Sequence, residues 1–272
     1  MIVKAFKGKE FESKEEFISF FKSNKQQAVA LKCAAIKEGA VSLNYSNKFS
    51  EVKKDAITEV LKYGDDVTNV ISSMNYYDSH GDVHLEGNWN KSAKEQNGRI
   101  HHAMNHDLSV GNIVAYPKDV KLSVSRVAWK ELGVDIDGST EVLLGKSLMT
   151  DKSNSDAFKG YRDNVGFKHS PRMRYIDGAF AIKSDDPELA KENALFEKVY
   201  PMVANKEDIK DGIFFAVKQA ALVGEFSTVI TPSNEATPRI KTEPSKDTQE
   251  KDTHVEPSID YQYLIKNFNT KN

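Results

Sequence analysis

Leu122-Ser123-Val124-Ser125-Arg126-Val127-Ala128-Trp129 is the stretch on which the fold turns. Leu122, Val124, Arg126 and Ala128 alternate with Ser123, Ser125, Val127 and Trp129. A period of two belongs to a strand, because successive strand side chains point to opposite faces. Neither set is cleanly polar, so neither face is given over to solvent. Short apolar runs of the same kind recur between polar turns at 67–74, 83–85, 113–116 and 142–149, and 173–182 adds another. Together they predict a β-rich body.

Helical signals flank that body. Ser13 with Glu16 three positions later forms a capping-box signature, and Phe17, Ile18, Phe20 and Phe21 follow at helical spacing. Residues 27–43 suit a helix or a helix–strand pair. In 51–62, Val52, Ile57, Val60 and Leu61 fall on one helical face. Residues 186–203 read as a helix with Pro187 in its first turn. Residues 207–221 read as a further helix leading into a strand at 222–230. From 231 to 257 the chain holds four prolines among many charged and hydroxyl residues. Such a composition buries too little surface to offset its ordering entropy. The apolar stretch at 259–268 suits either a docking peptide or a helix packed back on its own domain. The expected division is a mainly helical segment at 1–65, a central domain at 66–238 and a flexible tail at 239–272.

Composition narrows the function classes. The chain has 272 residues, 39% hydrophobic, and a formal net charge of -2 from 38 basic and 40 acidic side chains. No basic excess marks a nucleic-acid binder. One cysteine, Cys33, excludes an internal disulfide and a cysteine-based zinc site, and reads as a small core residue. Residues 1–30 hold no apolar stretch of the secretory kind, and no window approaches a membrane span. The expectation is a soluble intracellular protein without a membrane partner.

Six of the seven histidines lie between residues 80 and 169. A metal-dependent hydrolase on His80, His84, His102 and His106 is one reading, since His102 and His106 share a face if helical. The zinc-protease pattern, however, needs a glutamate directly after the first histidine, and Ala103 stands there. The other reading is nucleophilic. A serine hydroxyl must lose its proton as it attacks, a neutral imidazole can take that proton at pH 7, and a third group must orient the imidazole. His169-Ser170 and Asn105-His106-Asp107 offer the parts.

Four segments then resemble, in order, the motifs of tailed-phage prohead (capsid maturation) serine proteases. They are Asp78-Ser79-His80-Gly81-Asp82 with Gly87-Asn88-Trp89, then Asn105-His106-Asp107, then His169-Ser170-Pro171-Arg172-Met173-Arg174-Tyr175, then Glu225-Phe226-Ser227-Thr228-Val229 with Pro232-Ser233-Asn234 and Thr237-Pro238. Phe214-Phe215-Ala216-Val217-Lys218-Gln219-Ala220 is similar to the family's helix before its last strand. The resemblance spans about residues 28–240. It implies an α+β fold, a small closed β-barrel wrapped by helices as in herpesvirus assemblin. It also implies a serine endopeptidase, without cofactor, that cleaves capsid and scaffold proteins and itself inside an assembling prohead in the host cytoplasm. Ser170 would be the nucleophile and His106 its base. Glu225 is the candidate orienter and Asp107 its rival, while Asp78 and Asp82 would brace a turn. One departure stands out. The family's Ser-Val-Gly is Ser170-Pro171-Arg172 here, and proline has no N–H to offer an oxyanion. A catalytically weak assembly protein on the same fold is therefore the alternative.

Overall fold

The computed structural model describes residues 11–37 and 60–244. They form nine strands: β1 (Asp65–Ser73), β2 (Asp82–His84), β3 (His101–Met104), β4 (Ile113–Ala115), β5 (Val120–Ala128), β6 (Ser139–Leu148), β7 (Lys168–Ile182), β8 (Ile213–Val229) and β9 (Arg239–Pro244). Four α-helices accompany them: α1 (Lys14–Ala34), α2 (Asn90–Gln96), α3 (Ser155–Arg162) and α4 (Ala190–Val199). Among the described residues, no helix is long and apolar enough to cross a membrane.

The class is mixed α+β, and the strands make two sheets. One runs β5-β6-β1-β9 and is antiparallel throughout. The other is organised on β8, which carries β7 along one edge and the short parallel strands β2 and β3 on the other. β4 extends this sheet beyond β3. A shared core of Ile71, Leu122 and Leu143 from the first sheet and Met173, Phe215 and Phe226 from the second joins the layers. Gly145 makes the close approach possible. A Cβ on it would stand 2.7 Å from both Ile71 Cδ1 and Phe226 Cζ.

The closed barrel implied by the family resemblance is not formed among the described residues. Closure needs a ladder between edge strands of the two sheets, but only an isolated bridge, Lys168–Pro238, joins β7 to the segment entering β9. Pro238 has no N–H, and neither has Pro171 further along β7, so this pairing has little to propagate with.

α1 joins the helix signalled by Ser13 and Glu16 to the helical part of the 27–43 segment in one kinked element. Ser13 Oγ accepts the Glu16 N–H at 3.1 Å, while Glu16 returns its carboxylate to the Glu12 N–H rather than to Ser13. A kink falls at Asn24, whose side-chain amide donates to the Phe20 carbonyl at 2.8 Å and competes with the helical ladder. Phe17 and Phe21 pack on Phe180 of β7. Lys32 forms a buried ion pair with Asp82 at 2.6 Å, and Asp82 also accepts the Tyr175 hydroxyl at 2.6 Å. The chain leaving α1 then pairs Lys37 with Met173 of β7, backbone to backbone in both directions.

A second expectation is corrected at 207–221, where β8 replaces the helix. Ile213 to Val217 are all buried, and the residues alternate between two covered faces of a central strand. Burial on both sides produces a continuous apolar run without a period of two, which sequence patterning cannot separate from a buried helix. The 186–203 segment is helical, but as a short 3-10 turn followed by α4. The helix expected at 51–62 and the apolar stretch at 259–268 fall largely or wholly outside the described residues.

Candidate active site

β3, β7 and β8 bring the sequence-predicted residues together through register. Ser170 lies directly opposite Ser227 across the β7–β8 ladder. Glu225 precedes Ser227 by two, so both project from one face. β3 runs parallel to β8 on its other edge and ends at Met104, which delivers the following turn to the same neighbourhood.

That turn carries His106. Asn105 and His106 have φ of 53° and 61°, and the Asp107 N–H closes the turn on the Met104 carbonyl at 2.9 Å. Two consecutive left-handed residues define the tight I′ geometry, for which asparagine is well suited and histidine is not. The His106 ring reaches Glu225, with Nδ1 2.7 Å from Oε1. A carboxylate accepts only, so Nδ1 carries the hydrogen and Nε2 is the nitrogen left to act as base. Glu225 is fully buried, and the His106 side chain is 8% exposed.

Asp107 does not share this role. It sits at the exposed end of the turn, where its carboxylate accepts the Ser109 N–H at 2.7 Å and the Asn112 side chain at 2.6 Å. Those bonds hold its carboxyl below the usual carboxylate range. Ser170 is 1% exposed, and its Oγ makes no hydrogen bond among the described residues, to His106 or otherwise. His106 and Glu225 are therefore engaged with each other, while no bond joins His106 to the Ser170 hydroxyl.

Pro171 is accommodated by the pleat. The His169 N–H donates to Thr237, away from β8. Alternation turns Ser170 toward β8 and the Pro171 nitrogen away again, so proline removes no β7–β8 ladder bond. Beyond it the register breaks between Pro171 and Met173, which face Phe226 and Leu222, and Gly224 supplies a φ of 79° in the opened stretch. An oxyanion donor cannot come from residue 171. A groove of about 610 Å³ starts at Gly224 and continues along the outer side of β7 and β8, where Ile36, Lys91, Glu95, Arg174 and Ile176 line it.

The histidines of the metal reading are separately engaged. His84 Nδ1 accepts from Asn88 at 2.6 Å, and the ring stacks on Trp89. His102 stacks on Phe226 and bonds Ser147 and Thr228. His106 Nδ1 is held by Glu225. Among the described residues, no three His, Cys, Asp or Glu side chains are grouped to hold a metal. Asp78 behaves as a turn brace, with Oδ1 accepting the N–H groups of His80 and Asp82 at 2.8 and 2.9 Å. Burial beside Asp82 raises its carboxyl well above the usual range. Asp82 instead pairs with Lys32.

His102 and His169, adjacent to the site in sequence, face the sheet interior and form a chain there. Thr237 is a carbonyl acceptor 3.0 Å from His169 Nδ1, which sets the direction of every bond. His169 Nε2 accepts from Tyr161 at 2.7 Å, Tyr161 from Thr228 at 2.7 Å, Thr228 from His102 Nε2 at 2.7 Å, and His102 Nδ1 from Ser147 at 3.0 Å. Both rings are neutral in this chain. Burial lowers His169 to about 3 and His102 well below its ordinary value.

No protein-family model, curated protein or solved structure matches this chain.

Proposed function

We propose that this chain is a serine endopeptidase of the prohead-maturation kind. Ser170 attacks the scissile carbonyl, His106 Nε2 takes its proton and returns it to the leaving amine, and Glu225 holds the ring in the required tautomer. The observation that carries this reading is the 2.7 Å contact between His106 Nδ1 and Glu225 Oε1, on the sheet face that bears Ser170. The sequence resemblance supplies the substrate class: the major capsid protein, a scaffold segment and the chain itself, met inside an assembling prohead in the host cytoplasm.

Ser170→Ala should abolish processing of co-expressed capsid protein with the fold intact; full processing by that variant sinks the assignment. A second reading is favoured by the burial of Ser170 Oγ and by Pro171, and makes the protein a catalytically weak assembly factor. A fluorophosphonate probe separates the two. Labelling at Ser170 that disappears in His106→Ala supports the peptidase, and no labelling in concentrated, assembled material supports the assembly role.

A further inference from the structure

Ser227 occupies the centre of the site without belonging to the proposed trio. It is fully buried in β8, two residues after Glu225 and directly opposite Ser170. Its hydroxyl hydrogen goes to Glu225 Oε2 at 2.7 Å, and its oxygen accepts the His106 backbone N–H at 2.9 Å. With the His106–Glu225 contact these bonds close a ring: Ser227 to the carboxylate, carboxylate to imidazole, and the His106 backbone to Ser227.

Each bond restrains something that would otherwise move. A glutamate held through one oxygen can still turn about its last torsion, which is broad. Fixing Oε2 on Ser227 removes that freedom and aims Oε1 at His106. His106 itself stands on strained backbone, since a side chain with a Cβ crowds its own backbone in the left-handed region. Among the described residues, three bonds hold the backbone N–H groups of this turn: Asp107 N–H to Met104, Asn105 N–H to Thr228 at 3.0 Å, and His106 N–H to Ser227. The last acts directly on the His106 backbone.

We propose that Ser227 is the positioning residue of this site, a clamp that sets the Glu225 carboxylate and the left-handed His106 backbone at once. The rate consequence rests on the serine-peptidase reading; the clamp itself does not.

The experiment therefore has two readouts on the full-length chain. The first is amide exchange at the His106 N–H, followed by NMR. Ser227→Ala should accelerate it about tenfold or more, as expected for an opened local bond, and Ser227→Thr, which keeps the hydroxyl, should restore protection. Unchanged protection in Ser227→Ala overturns the clamp. The second is the rate of fluorophosphonate labelling, with the modified serine mapped. Ser227→Ala should slow labelling of Ser170 by about 10–100-fold, the usual range for a residue that acts through another, and Ser227→Thr should recover it. The double variant Glu225→Gln/Ser227→Ala should lose less than the two single losses combined, because one part of the Ser227 effect passes through the carboxylate and the other through the His106 backbone. Additive losses, or labelling of Ser227, overturn the proposal. If Ser227→Ala does not fold, Ser227→Cys keeps the volume with a weak donor and is read in the same way. A wild type whose Ser170 never labels removes the peptidase reading, and the exchange readout then still decides the clamp.

Discussion

Acid should unfold this protein through its buried histidines. His169 is pushed down to about 3 and His84 to about 4, each mainly by burial, and His102 also lies well below its ordinary value. An unfolded chain would titrate them near 6.5. Between these values the unfolded state binds more protons, so unfolding free energy rises with pH and is lost as pH falls below about 6.5. From pH 7 to pH 5 the loss is about 2 kcal/mol for His169 and for His84. Together they reach about 4 kcal/mol, a large share of the stability of a whole domain, about 5–15 kcal/mol, and His102 adds to the loss in the same direction. Asp78 works in the opposite direction, because its raised carboxyl gains stability as pH falls. The assay is urea unfolding at pH 7 and pH 5 for the wild type and for His169→Gln. The wild type should lose several kcal/mol, and the variant should lose about 2 kcal/mol less over the same interval. A wild type equally stable at both pH values, or a variant with an unchanged pH slope, refutes the reasoning.

Other perturbations test the site and its supports. Glu225→Gln replaces a carboxylate that only accepts with an amide that can donate to His106 and turn its tautomer, and Ser170 labelling should drop by about 10⁴-fold if Glu225 acts as the carboxylate of a serine-peptidase triad does; a loss below tenfold assigns that role elsewhere. Lys32→Met leaves the buried Asp82 carboxylate without this counter-ion, and should cost about 3–5 kcal/mol in denaturant unfolding. The double variant Lys32→Met/Asp82→Asn should regain much of that loss, since the stranded charge is its cause. Gly145→Ala forces a methyl against Ile71 and Phe226, and should destabilise by about 1–3 kcal/mol by the same measurement.

Much of the β body was legible along the chain. The runs at 67–74, 113–116, 122–129 and 142–149 each overlap a strand, because short apolar runs between polar turns mark strands whether one face is covered, as in β5, or both, as in β4. The helix expected at 207–221 was not legible as a strand, since burial on both faces of β8 erases that alternation. α2 and α3 are short enough that few apolar positions mark them, and neither was anticipated.

For the site, sequence supplied the residue types and their order: a serine after His169, a histidine between Asn105 and Asp107, and a glutamate two residues before Ser227. It left the orienter open between Glu225 and Asp107. Tertiary structure brings Glu225 rather than Asp107 to the His106 ring, through strand register and turn geometry. β3 and β8 run parallel with residues 101 and 225 in register, and the left-handed pair at 105 and 106 swings one side chain onto the sheet while Asp107 turns to its own loop. Ser227 shows the same division. Its place two residues after Glu225 put it on the carboxylate's face, but its bond to a backbone N–H 121 residues away exists only once β3 and β8 have met.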